Sequence, residues 1–245
     1  MFKTTMLAAG LVALAFAALP ALASATNPNP QLLDEKGNPV SNLPFEIDTD
    51  EEGISPHLED DGTNPPVDCA GVVGEGEFET SETGWIELEF TECHTIFSLP
   101  CGTSEASTKT IETGKLPFHL KTVDHGEKQT PGVLITPEPG KTSSHDEPLF
   151  ADFVCSFVGT VEVGGNGIVG TITTPDKGEL SEVATLKFQQ TDGVQTHRTV
   201  TNDNEETVEY DLSASIGGGE TTTAGQEADS TLTFPEKVEL ETTEG

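Results

Sequence analysis

The sequence predicts an all-β protein: an antiparallel β-sandwich or flattened barrel with two disulfides, preceded by a signal peptide and a disordered acidic leader. Three observations carry this expectation. From Val67 onward, short runs of alternating apolar and polar residues recur between Gly, Pro, Asn-Gly and Asp-Gly punctuation. No stretch sustains a helical period, and about ten to twelve short strands are the mark of a sandwich or barrel. Four cysteines follow an export signal, and no pair of them has the C-x-x-C spacing that zinc favours.

The signal occupies residues 1–25. Lys3 supplies the positive start, Met6 to Leu19 the apolar core, and Ala23-Ser24-Ala25 the small-residue cleavage site. The apolar run is at the short end for a membrane span and meets Pro20, so cleavage after Ala25 is expected rather than anchoring. The expectation is a secreted, extracellular protein with no membrane insertion after signal cleavage.

Residues 26–66 read as a disordered acidic, Pro-rich leader. Ten acidic residues stand against Lys36, prolines recur at 28, 30, 39, 44, 56, 65 and 66, and few apolar side chains offset the entropy of ordering the segment. Asp48, Asp50, Glu52, Gly53 and Glu59 fall at positions 1, 3, 5, 6 and 12 of a calcium-loop pattern. Pro56 inside the loop and Pro44 before it deny the flanking helices, which favours weak, diffuse divalent cation binding over a dedicated site.

The stretch from Cys69 to Cys93 reads as a hairpin. In its second arm Ile86, Leu88 and Phe90 alternate with Trp85, Glu87, Glu89 and Thr91. A register in which paired numbers sum to 162 sets Val72 opposite Phe90 and Cys69 opposite Cys93, with the cysteines on the face away from the apolar residues. Directly opposed residues lie about 4.5–5.5 Å apart at Cα, within reach of a disulfide. Hairpin register thus favours Cys69–Cys93, leaving Cys101–Cys155; the competing pairing joins Cys93 to Cys101 and Cys69 to Cys155.

Beyond it, strands are expected at Thr108–Glu112, Leu116–Leu120, Gly132–Thr136 and Leu149–Phe157. Val161-Glu162-Val163 should meet Ile168–Ile172 across a type I′ turn at Asn166-Gly167. Ala184–Phe188 and Val194–Val200 flank the Asp192-Gly193 turn, Val208–Ile216 alternates cleanly, and Thr231–Phe234 and Lys237–Leu240 close the series. Residues 67–245 are read as a single β-sandwich-like domain.

With 43 acidic and 11 basic residues the chain carries a net charge of −32. Such a surface repels phosphate backbones and anionic lipid, which excludes nucleic acid as a natural partner and leaves polycations and divalent metals as electrostatically matched ones. The bland reading, charge for solubility, carries more weight than a specific cation role.

The strand ending in Cys93, the loop Pro100-Cys101-Gly102-Thr103-Ser104, the runs Gly132-Val133-Leu134 and Leu149 to Cys155, the segment Gly167 to Ile172, and Ala184 to Gln190 followed by Gly193-Val194-Gln195 together resemble a group of uncharacterised secreted all-β proteins of high-GC Gram-positive bacteria. The likeness covers about residues 69 to 200. It implies a bacterial exported β protein with no assigned activity, and brings no catalytic residues with it.

No G-x-S-x-G elbow, H-E-x-x-H helix or phosphate-cradling glycine loop occurs. Ser143-Ser144-His145-Asp146-Glu147 reads as a polar loop, and the six histidines form no helix-face pair. No catalytic, metal-ligating or cofactor-binding residue is therefore assigned, and no cofactor is expected. Trp85, the sole tryptophan, shares its face with Glu87 and Glu89 and is the candidate ligand contact, able to stack on a sugar or a cation. The opposing reading buries it under a loop against the Cys69–Cys93 bridge. The functional expectation is an exported non-catalytic β protein with a structural or interaction role toward an unknown extracellular partner. The alternatives are a secreted carbohydrate-active hydrolase or binding module, and a calcium-dependent binding module.

Overall fold

A computed structural model describes residues 29–241, apart from 51–52, 63, 126–127, 176–177 and 202–205. The expected signal peptide, residues 1–25, lies outside the described residues.

The chain enters the sheet well before Val67. β1 (Gln31–Leu33) pairs with the far end of the last strand, and β2 (Leu43–Thr49) buries Leu43, Phe45 and Ile47 while Pro44, Glu46 and Asp48 face outward. β3 (His57–Asp60) and β4 (Val67–Asp68) follow. The expectation of a disordered leader is thus overturned for the described residues of 29–66, and the folded unit begins inside it rather than at residue 67. Composition averaged over the segment conceals the alternation of Leu43, Phe45 and Ile47. Their burial offsets the ordering entropy, at roughly 1.5–3 kcal/mol per side chain. Pro44 is tolerated because it sits at the start of the strand, before the pairing to β21 begins at Glu46.

The next strands come two by two: β5 (Gly71–Phe78) and β6 (Thr83–Thr91), β7 (His94–Thr95) and β8 (Leu99–Gly102), a short β9 (Ile111–Glu112), then β10 (Leu116–His125) and β11 (Lys128–Ile135). β12 (Leu149–Cys155) and β13 (Gly159–Gly165) precede β14 (Ile168–Thr173) and β15 (Ser181–Phe188). Four short strands, β16 (Gln190–Thr191), β17 (Val194–Gln195), β18 (Thr199–Thr201) and β19 (Thr207–Glu209), lead to β20 (Leu212–Ile216) and β21 (Thr222–Glu241).

Eight of these close an antiparallel barrel in chain order: β2, β5, β6, β10, β11, β14, β15 and β21, which pairs back to β2. After every second barrel strand the chain makes an excursion, and because neighbours run antiparallel all four excursions leave from the same end. Their strands pair in a second ring, β3–β4–β7–β8–β12–β13–β20–β21 and back to β3. The expected sandwich or flattened barrel is therefore a closed barrel with a second ring on one end, and β21 belongs to both. Closure leaves no exposed edge in the main barrel.

Phe45, Phe78, Phe118 and Phe234, from four barrel strands, pack with ring centroids 4.8–6.2 Å apart. At the end opposite the excursions, the Leu32 amide donates to the Ser81 carbonyl in the β5–β6 turn, and buried Leu32 and Val40 close the barrel. On the outside, β18 pairs with β10 and β19 with β18, and Val200 of β18 packs with Leu134, Val169 and Val123.

The β5–β6 register follows the sum of 162 throughout, from Gly71 opposite Thr91 to Phe78 opposite Gly84. Both expected disulfides are present. Cys69–Cys93 joins the first and second excursions, and Cys101–Cys155 the second and third. The cysteines do not sit on the outer face as the alternation implied. Glu92 takes φ +50°, which breaks the alternation, and Cys69 and Cys93 are buried in the core. The Asn166-Gly167 hairpin does not form either: β13 pairs with β12 and β20 while β14 pairs with β11 and β15. The Asn166 side chain instead donates to the Glu209 carbonyl and accepts from the Asp211 amide, fixing the crossing between rings. The continuous strand expected over Val208–Ile216 is split at Tyr210 and Asp211, because its halves serve different layers.

Candidate functional site: the Trp85 face

Period-2 alternation in β5 and β6 sends Val72, Phe78 and Ile86 into the barrel and Glu75, Glu77, Trp85, Glu87 and Glu89 outward. Register then arranges the outer face in rows. Pro44, Glu77, Trp85 and Pro117 lie in one row across β2, β5, β6 and β10. In the adjacent row Thr233, Glu46, Glu75 and Glu87 stand side by side across β21, β2, β5 and β6. Three carboxylates directly opposed on neighbouring strands repel one another.

Trp85 is half-exposed. It borders an open depression of about 480 Å³ whose walls include Pro44, Glu46, Glu75, Glu77 and Pro235. Gly76 forms part of its floor, where a Cβ would collide with the Phe45 ring and the Trp85 carbonyl oxygen. The bridge covers nothing here, since Cys69–Cys93 is in the core. What meets the indole is Lys115, whose Nζ sits 3.7 Å from the ring centroid. The β6–β10 pairing brings it there by setting Leu116 beside Ile86 and Pro117 beside Trp85. A cation over an indole face is worth about 0.5–1 kcal/mol at an exposed site. Lys115, Pro44, Glu46 and Pro235 were not foreseen. Reading 43–49 as a strand would have placed Glu46 on the outer face.

The calcium-loop residues are dispersed. Asp48 lies on β2 and Glu59 on β3, Asp50 and Gly53 share a turn through a 3.0 Å backbone hydrogen bond, and Glu52 lies outside the described residues. Among the described residues no group of three His, Cys, Asp or Glu is placed to hold a metal.

The Ser143–Glu147 segment is tied to the sheet as a loop. Ser144 donates its amide and hydroxyl to Glu162, and the Ser144 side-chain bond is the main cause that holds this carboxyl below its usual range. His57, on β3, stands between two carboxylates. Its Nδ1 is 2.6 Å from Asp68 Oδ1 and its Nε2 3.5 Å from Glu59 Oε2. Burial opposes its protonation, but the hydrogen bond and charge of Asp68, seconded by Glu59, outweigh that and raise its pKa above 6.5.

No helix among the described residues is long and apolar enough to cross a membrane, and the two disulfides are compatible with an extracellular location. Comparison of the chain with protein-family models, with curated proteins and with solved structures returns no match.

Proposed function

We propose that the protein is an exported, non-catalytic binding protein, and that the Trp85 depression takes a cationic segment of an extracellular partner, such as a run of Lys or Arg. The observation that carries this reading is the half-exposed indole standing in a row with Pro44 and Pro117, beside the carboxylates Glu46, Glu75 and Glu87. The prolines and the indole offer flat apolar walls, and the carboxylates gain from any cation placed between them. Lys115 supports the choice of ligand, since the ring already accepts an ammonium from its own chain. A bulk charge of −32 steers cations to the whole surface, so specificity must rest on the indole.

Because Trp85 is the one tryptophan, its fluorescence reports on the depression alone. Titration with a tetra-lysine peptide at about 0.15 M salt, where surface charges separated by more than about 8 Å are screened, should give a saturable emission change. Calorimetry on Trp85→Ala should show at least a fivefold loss of affinity. Equal binding by wild type and Trp85→Ala would reduce the interaction to bulk charge. Turnover on a polysaccharide panel that disappears with one carboxylate neutralised would replace the reading by the hydrolase.

A further inference from the structure

We propose a second, separate binding site: the cavity at the junction of the two rings, which takes a short hydrocarbon group of a ligand that carries no negative charge. The cavity has a volume of about 80 Å³ and is walled by strands of both rings, with Phe188 and Leu88 from the barrel and Phe153 from the second ring. A single water needs about 10–15 Å³, and an engineered apolar cavity of about 150 Å³ holds benzene, so this space accommodates a few carbon atoms.

Water is a poor filler. Its lining offers three polar side chains, His57, Thr113 and Gln226, and the first two are engaged: His57 with Asp68 and Glu59, and Thr113 Oγ1 as acceptor of the Leu88 amide at 2.9 Å. A buried water needs two to four partners, and this wall supplies too few. A hydrocarbon guest restores the dispersion contacts that the lining lacks.

The wall also has a direction. Phe153, Phe188 and Leu212 are buried, whereas Leu58, Leu88, Phe90 and His57 on β3 and β6 are half-exposed. The lining is thus least covered on the side that β3 and β6 contribute, which is where a guest enters. Charge at that entrance selects the guest. His57 stands between Asp68 and Glu59, and its register partner on β21 is Glu227, so three carboxylates face one imidazole, the local balance is negative whether or not the ring carries a proton, and an anionic head is repelled. A neutral alcohol or the chain of a cationic amphiphile meets no such barrier. The site shares no lining residue with the Trp85 depression and does not depend on that reading.

The test uses the whole mature protein with 1-alkanols from butanol to decanol, decylammonium, and decanoate as anionic control. Calorimetry should find one saturable site for an alcohol of intermediate length, affinity at least tenfold lower for decanoate than for decanol or decylammonium, and no change in Trp85 emission with the alcohols. Ala151 lines the cavity, and Ala151→Leu should fill it and abolish the heat; Leu88→Phe is the second filling variant if the first does not fold. Absence of saturable heat with every alcohol in the wild type, or binding that survives a folded filling variant, overturns the site. Equal affinity for decanoate and decanol overturns the charge selection.

Discussion

Cys101 and Cys155 face each other across β8 and β12, their Cα atoms 4.1 Å apart, so that the second and third excursions are tied where their strands pair. β7, β8, β3 and β4 are only two to four residues long, too short to hold a ring by backbone pairing alone. In the chain-entropy model a loop of 54 residues is worth about 4 kcal/mol and one of 24 about 3.5 kcal/mol, as upper figures.

Replacing Cys101 and Cys155 together by Ala should therefore destabilise the second ring by about 2–4 kcal/mol. Hydrogen exchange should quicken at β8, β12 and β13 while β10, β11 and β14 stay protected. Uniform loss across both rings would show that the two unfold as one unit.

A chain beginning at Val67 lacks β2 and leaves β5 and β21 without their shared neighbour. It should not fold, giving a disordered circular dichroism spectrum and rapid proteolysis. A folded product would return residues 29–66 to the status of a dispensable leader.

Gly76→Ala forces a methyl group between the Phe45 ring and the Trp85 carbonyl. The expected loss is about 1–3 kcal/mol in urea unfolding, together with a shift in Trp85 emission because the β5 backbone must move away from Phe45 and from the Trp85 carbonyl.

Lys115→Met removes the internal cation from the indole. If a ligand ammonium seeks the same ring, tetra-lysine affinity should rise about two- to fivefold, the worth of an exposed cation–π contact of about 0.5–1 kcal/mol. An unchanged affinity would mean that ligand and Lys115 do not compete.

The His57 pKa is raised on folding, so its contribution to stability is complete below its ordinary value of 6.5 and disappears as pH rises through the folded-state value. The stability difference between wild type and His57→Asn, from urea midpoints, should favour the wild type more at pH 5 than at pH 9. A difference that grows with pH would reverse the assignment.

How far these features were legible differs by element, for physical reasons. The β5–β6 register could be read because strict alternation fixes which residues share a face, and a one-residue slip would put Val72 and Phe90 on opposite faces of the pair. Cys69–Cys93 followed from that register. The barrel's first strand was hidden because Leu43, Phe45 and Ile47 are set among Pro44, Glu46 and Asp48, and composition outweighed period. Ring membership could not be read at all: β13 and β14 are neighbours in sequence with an Asn-Gly between them, yet long-range pairing sends them to different partners. The Trp85 depression was half visible, since the alternation that turns the indole outward lies within one strand, while Pro44, Lys115 and Pro235 are brought to it by pairing of strands distant in sequence.

β21 runs for twenty residues and supplies a wall to each of the stacked rings. Every other stave precedes it along the chain, so neither cylinder can shut until residues 222–241 have emerged, and both shut on the same event. A protein built this way stays an open ribbon for most of its synthesis and locks only when its last strand becomes available.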